Sequence, residues 1–371
     1  MLCYTREYTY LPNEERGGMK KRLKNQLSYL FFILLAVFAF YAVFHDHDFG
    51  MTVASIRKMD LRYLLLAVIT ALIFTMMEGV MIYYLLRPLQ RKADFAKCIR
   101  YSFVGFFYSG ITPSATGGQP MQLYHMNRDG NDLSASTIVL MTVALVYKFV
   151  LVLMGLVMVL LYFPVLERYL GNYLKLFYLG MALNTALVIV LFVVMVFPYF
   201  AHTLLLLLER LLVTCKLLKP SVQRKQTIGR FIESYQNAVN YLLHHKKQMT
   251  VVIFAAFVQR CLVFILPYIV YLGFGLSGTS ALTILLIQMS IYLAVDMLPL
   301  PGAQGITELM YRNVFRDIFT AEYIVPAMCV SRGVSFYFLL FFSMAVCIIH
   351  NIRFRSQKFS YTREQNDLPT D

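Results

Sequence analysis

The chain has 371 residues, 59% of them hydrophobic and 15% charged, and its mean hydropathy is +0.61; no water-soluble domain of that length can hide so much apolar surface, which leaves a polytopic membrane protein. The formal net charge of +14 would suit nucleic acid, but the basic residues sit in short loops beside apolar runs, so anionic headgroups are the expected partner and nucleic acid is not. The six cysteines form no CxxC pair and no zinc spacing, which excludes a disulfide framework and a metal motif.

Residues 1–26 are polar and carry Arg16, Lys20, Lys21, Arg22 and Lys24; they are expected to be a cytoplasmic N-terminal segment. Residues 27–44 follow as a continuous apolar run, too long and too aromatic for a signal peptide and lacking a clean small-residue cleavage site. They are predicted to be an uncleaved first span. A polar loop (45–60) precedes the second span, 61–86, and residues 87–100 are basic again. Next come 101–111, a break, and 123–132, which is too short and polar to cross. Full spans are predicted at 136–163 and 174–197, with 164–173 as a turn between them.

Residues 199–248 interleave Arg210, Lys216, Lys219, Arg224, Lys225, Arg230, Lys246 and Lys247 with apolar side chains. This reads as one or two amphipathic helices on the inner headgroup layer, where each basic residue contributes about 1 kcal/mol. Residues 249–272 span, 273–280 turn, 281–298 enter a second break and 306–319 leave it; 323–349 is the last span. Residues 351–371 are expected to be a cytoplasmic tail, in which Arg353, Arg355 and Lys358 precede a short disordered end. Trp is absent, so Tyr and Phe must supply the interfacial aromatic belt.

Lysines and arginines in short loops set orientation. The clusters at 16–24, 87–100, 210–247 and 353–358 all belong on the cytoplasmic side, which puts both termini there. Consistency then makes 101–135 enter and leave on that side and 281–321 enter and leave on the outer side. The expected fold is therefore all-α: six full spans plus two re-entrant helical hairpins. These eight hydrophobic regions form an inverted repeat within a single membrane domain, 27–350, with halves 27–163 and 174–350. Residues 281–298 are nearly long enough to cross, so two full spans there are the alternative. Inverted repeats are the usual plan of alternating-access transporters, whose sites lie where broken helices meet.

The two breaks carry the candidate site. The first reads Thr112-Pro113-Ser114-Ala115-Thr116-Gly117-Gly118-Gln119-Pro120-Met121-Gln122, and the second Met297-Leu298-Pro299-Leu300-Pro301-Gly302-Ala303-Gln304-Gly305-Ile306-Thr307-Glu308. Prolines stop helices and leave carbonyls unpaired, and glycines let the backbone turn and approach a ligand. In a bilayer, freed backbone is tolerated only against protein or a wet cavity. Half-helix N-termini facing such breaks favour an anion, and Gln119, Gln122 and Gln304 add neutral donors and acceptors. The plainer reading is a pair of kinks in packed helices.

Charges at membrane depth cost about 2.5–3.5 kcal/mol each on insertion scales. The candidates are Glu78, Lys148, Asp296, Glu308 and Arg332. Arg332 and Lys148 are expected to hold an anionic phosphate, with Glu78, Asp296 and Glu308 balancing charge or meeting a cationic headgroup; internal salt bridges that lock helices together are the alternative. The substrate-binding set is thus Glu78, Thr112, Pro113, Gly117, Gly118, Gln119, Gln122, Lys148, Asp296, Pro301, Gly302, Gly305, Glu308 and Arg332. His45-Asp46-His47-Asp48 has the alternation of a metal site, but a solvated loop explains it as well. Ser290, Cys329 and Ser331 have no base nearby in sequence, so no catalytic residue, metal or cofactor is expected.

Pro113…Gly117-Gly118-Gln119, then Pro299-Leu300-Pro301-Gly302-Ala303-Gln304-Gly305-Ile306-Thr307-Glu308, then Ser331-Arg332-Gly333, resemble the signatures of the lysylphosphatidylglycerol synthase transmembrane family. This is the flippase-like domain of the multiple peptide resistance factor. The family pattern looks like Pro-x-x-x-Gly-Gly-Glu and Pro-x-Pro-Gly-Gly-x-Gly-x-x-Glu, followed by an arginine. Here Gln119 stands in place of the acid and Ala303 in place of a glycine. The resemblance covers roughly residues 20–350. It implies translocation of a lipid with a polar or cationic headgroup, such as aminoacylated phosphatidylglycerol, in a cell membrane, and a link to cationic peptide resistance. For this short form the resemblance also admits polyprenyl-linked or glycosylated lipids as cargo, and a passive scaffold that docks a glycosyltransferase is a third reading. Full-length relatives add a soluble aminoacyltransferase domain, expected to be missing here, so lysyltransferase activity is the alternative and not the leading reading. Membrane phospholipids are the expected partners, a lipid-modifying enzyme is a candidate partner, and oligomerisation stays open.

Overall fold

The computed structural model describes residues 49–89, 93–112, 115–214, scattered positions between 229 and 240, and 245–366. The predicted span at 27–44, the His45–Asp48 run, Pro113 and most of 215–244 lie outside the described residues. Every regular element among the described residues is helical.

The helices are α1 (Phe49–Arg57), α2 (Leu61–Leu89), α3 (Phe95–Ile111), α4 (Gly118–Arg128), α5 (Leu133–Leu161), α6 (Phe163–Leu170), α7 (Leu174–Val196), α8 (Pro198–Thr214), α9 (Lys246–Phe264), α10 (Leu266–Gly273), α11 (Ala281–Val295), α12 (Ile306–Val314), α13 (Ile324–Arg332) and α14 (Leu339–Asn366). Their starts are written in the sequence. Asp94 caps α3 through the Ala96 and Lys97 amides, Asp132 caps α5 through Ala135, and Ser280 caps α11 through Thr283. Among the described residues, five helical stretches are long and apolar enough to cross a bilayer: Leu61–Leu89, Leu133–Leu161, Phe163–Val196, Lys246–Gly273 and Ile324–Ile352. They match the five predicted spans that fall on described residues. The protein is therefore a multi-pass membrane protein.

Two local expectations need correcting. The turn predicted at 164–173 is helical: Pro164 sits in the first turn of α6, where its missing N–H costs nothing, and Gly171 ends that helix at φ +48°. The tail expected to be disordered continues α14 as far as Asn366. The first part of the segment read as amphipathic is the helix α8.

Helix α2 sits centrally, packing on α3, α5, α9 and α10. Its Met81, Ile82, Leu85 and Leu86 join Ile138, Val139 and Val146 of α5 and Val252 and Ala256 of α9 in one buried cluster. Where helices come closest, small residues permit it. A Cβ on Gly79 would fall 2.6 Å from the Ile99 Cα, and one on Gly180 would fall 2.1 Å from the Leu293 carbonyl oxygen. Leu160, Leu161, Ile189, Phe254 and Phe341 are exposed, the apolar outer surface that lipid tails would cover.

The contacts at helix ends sort into two groups. Arg100 and the Tyr101 hydroxyl, early in α3, both bond Asp129 just beyond α4, and Arg128 reaches His350 and Asn351 near the end of α14's apolar stretch. At the other group, Asp60 N donates to the Gly273 carbonyl at 3.0 Å, and Lys58 bonds Glu322 at 2.8 Å. There too Phe319, beyond α12, packs on Tyr271, whose hydroxyl bonds the 277–279 loop leading into α11.

Candidate functional site

Between α3 and α4 the chain turns at Ala115, which adopts φ +56°, while Gly117 has an ordinary helical φ of −81°. The expectation that Gly117 and Gly118 supply the sharp turn is corrected on this point. Their smallness serves packing within the break. A Cβ on Gly117 would meet Thr112 Cγ2 at 2.6 Å, and one on Gly118 would meet Ser109 Oγ at 2.1 Å. Thr112 Oγ1 accepts from Gly117 N at 2.9 Å and donates to the Tyr108 carbonyl at 2.7 Å, so Thr112 ties the break to α3.

The second break turns as the sequence suggests. Pro301–Ala303 forms a single 3-10 turn, and Gly302 and Gly305 have φ of +58° and +82°. Ala303 shares the left-handed region at φ +51°, a conformation glycine adopts freely and alanine does not. Glu308 holds the turn from inside. One carboxylate oxygen accepts from Gly305 N at 2.7 Å, capping α12, and the other accepts from Arg332 Nε at 2.8 Å. Arg332 also donates to the Gly302 carbonyl at 3.0 Å and lies over the Phe336 ring. Directly after Arg332, residues Gly333–Phe338 widen into a π-helix, a defect that recurs at functional sites.

Both breaks line one cavity of about 660 Å³. That volume falls within the range of small-molecule sites. Ala115, Thr116, Gln119 and Pro120 come from the first break, and Met297, Leu300, Gly302 and Ala303 from the second. Glu78, Gln122, Lys148, Asp296 and Arg332 also reach it. Of the remaining sequence candidates, Thr112, Gly117, Gly118, Gly305 and Glu308 stand behind this wall as supports, and Pro301 opens the 3-10 turn.

The charges pair inside the protein. Lys148 on α5 bonds Asp296 at the end of α11, and its ammonium also donates to Asn184 Oδ1 on α7 at 3.1 Å. Arg332 pairs with Glu308. Glu78 accepts from the Gln122 amide at 2.6 Å, and that amide also reaches the Tyr101 carbonyl at 3.1 Å. The salt-bridge alternative thus describes Lys148, Asp296, Arg332 and Glu308, even though three of the four line the cavity.

The sequence spans nearly end to end carry a further signature. Residues 26–343 match the family described as the lysylphosphatidylglycerol synthase TM region. The chain belongs to that family. No curated protein matches the chain. The break held by Glu308 and Arg332 is the second of the stretches that resemble the family's signatures, and Gln119, which stands where the first of those signatures has an acid, is exposed on the cavity wall.

Sequence reasoning missed Arg260, Tyr147 and Tyr292. Arg260 is fully buried in α9, its guanidinium 3.3 Å from the Tyr147 ring centroid and 5.1 Å from that of Tyr292. The two tyrosines line the cavity and bond each other through their hydroxyls at 2.6 Å. The rule that selected Arg332, charge within an apolar span, selects Arg260 equally. The tyrosine pair left no such signal, because residues 145 positions apart meet only in the folded chain.

Proposed function

We infer that the protein moves a phospholipid with a polar or cationic headgroup, of the lysylphosphatidylglycerol kind, between membrane leaflets. The observation that carries this is the convergence of two interrupted segments and several intramembrane polar groups on a single cavity of about 660 Å³. A bilayer tolerates such groups where they meet water or a ligand, and the family is named for a lipid with an aminoacyl headgroup.

The route is alternating access around two re-entrant hairpins. Helix α11, at 15 residues, extends ~22 Å and α12 is shorter still, against a hydrocarbon core of ~30 Å. Supporting the hairpins, the end of α4 returns to the start of α3 through Arg100 and Asp129, and the segment beyond α12 returns to Tyr271 beside the start of α11. An inverted repeat is supported by packing that exchanges between halves: α3 lies on α14 as α11 lies on α5, and α4 on α5 as α12 on α13. On this reading both termini and the basic loops face the cytoplasm of a cell membrane, and anionic lipids at the inner surface are partners. A link to cationic peptide resistance follows if the cargo is an aminoacylated lipid.

The test is reconstitution of the full chain into phosphatidylcholine liposomes with fluorescent phosphatidylglycerol, lysylphosphatidylglycerol or phosphatidylethanolamine. Movement to the protected leaflet should exceed that of protein-free liposomes and depend on headgroup. Equal rates with and without protein would refute the proposal. Formation of lysyl-lipid from charged lysyl-tRNA would favour a lysyltransferase instead, and stoichiometric capture of a lipid-modifying enzyme without lipid movement would favour a scaffold.

A further inference from the structure

Around the cavity, Lys148 is matched by Asp296 and Arg332 by Glu308. One cation is not matched in this way. Arg260 has no exposed surface; it lies close enough to the Tyr292 hydroxyl for a weak polar contact, but its Nε, Nη1 and Nη2 are buried and make no hydrogen bond of normal geometry among the described residues. A guanidinium presents five donors in a planar fork suited to a carboxylate or phosphate. Stacking on tyrosine satisfies its charge only in part and its N–H groups not at all. Glu78 feels the Arg260 charge, yet among the described residues its carboxylate bonds the neutral Gln122 amide instead.

The position of Arg260 shows what stands between it and the cavity. Its neighbour Gln259 lines the wall and is held there by a 2.9 Å bond to the Phe74 carbonyl. Arg260 itself lies against the rings of Tyr147 and Tyr292, which do face the cavity and are latched hydroxyl to hydroxyl. We propose that Arg260 is a phosphate-binding residue closed off by a Tyr147–Tyr292 gate, so that a phosphate or phosphodiester oxygen entering the cavity parts the two hydroxyls and takes the guanidinium's free donors. This rests on the cavity being a ligand site, and it adds an anion subsite distinct from the self-paired Lys148 and Arg332.

The experiment is equilibrium binding to the purified full chain in a zwitterionic detergent, using dihexanoyl phosphatidylglycerol, inorganic phosphate and dihexanoyl glycerol, which lacks phosphate. Arg260→Gln should weaken phosphatidylglycerol binding by about 10- to 100-fold, the scale of a lost charge-assisted bond, without altering binding of the glycerol lipid. Arg260→Lys should retain part of the affinity, and Tyr147→Phe, which removes the latch, should speed association. Competition by inorganic phosphate would identify a bare-phosphate site, and its failure to compete would identify the lipid phosphodiester; each supports the proposal. If Arg260→Gln does not fold, Arg260→Lys and Tyr147→Phe carry the test. Unchanged affinity in the Arg260 variants would overturn the proposal, as would full rescue of Arg260→Gln by Glu78→Gln, which would reduce Arg260 to internal charge balance. Failure of the wild type to bind either phosphate probe would also overturn it, while lipid movement in liposomes would still decide the transport reading separately.

Discussion

Replacing Lys148 with Met tests whether the cavity's charges also hold the helices together. The ammonium joins three elements: α5, which carries it, Asp296 beyond α11, and Asn184 on α7. Both charged side chains are largely buried, 14% and 11% exposed. Removing one partner of a buried pair costs about 3–5 kcal/mol because the other charge is left uncompensated. Cavity water would hydrate Asp296 in part, which argues for the lower end. The Asn184 oxygen, inside a fully buried side chain, also loses its donor, at a cost of roughly 1–3 kcal/mol. Lys148→Met should therefore destabilise the protein by about 4 kcal/mol in reversible denaturation of the reconstituted chain. Lys148→Met with Asp296→Asn removes the stranded charge and should recover more than half of that loss, while lipid movement stays slow in both variants. A single variant within about 1 kcal/mol of the wild type, or a double variant no more stable than the single, would refute the buried-pair reasoning. Wild-type lipid movement in the double variant would make the pair purely structural.

Substitutions at three other positions probe the supports of the site. Ala303→Gly should leave stability unchanged or raise it by up to about 1 kcal/mol, since left-handed backbone costs alanine about 1–2 kcal/mol and glycine's extra chain entropy returns part of this; Ala303→Val should lower the thermal midpoint. Gly180→Val places side-chain atoms where the Leu293 carbonyl already stands and should cost at least about 1–3 kcal/mol, read as loss of folded yield. Glu308→Gln keeps one acceptor but strands the Arg332 charge, so amide exchange at Gly305 should accelerate and the thermal midpoint should fall.

The spans were legible because continuous apolar runs of membrane-crossing length have few other uses, and the breaks were legible because proline and glycine interrupt them. What the sequence hid was partner choice. Five charged positions in apolar segments admit many pairings, and only the packing of α5, α7 and α11 makes Lys148 the partner of Asp296. The turn at Ala115 was also hidden, because the adjacent Gly117 and Gly118 drew attention to themselves while serving close packing.

These pairings bear on how such a site can exist at all. A cavity lined by uncompensated charges would press its helices apart, whereas one whose ions are bonded to each other can hold its shape before a ligand arrives. Lys148 with Asp296 and Arg332 with Glu308 pin the start and the end of the second break to neighbouring elements, so that break is fixed at both ends by ion pairs at or beside the cavity wall. A ligand that competes for one member of a pair loosens the break that pair holds. A headgroup entering between Lys148 and Asp296 would weaken the hold of α5 on the second break, and one reaching Arg332 would release the Gly302 carbonyl and the Glu308 cap together. On the alternating-access reading proposed above, ligand binding and movement of the second break are coupled through the same bonds.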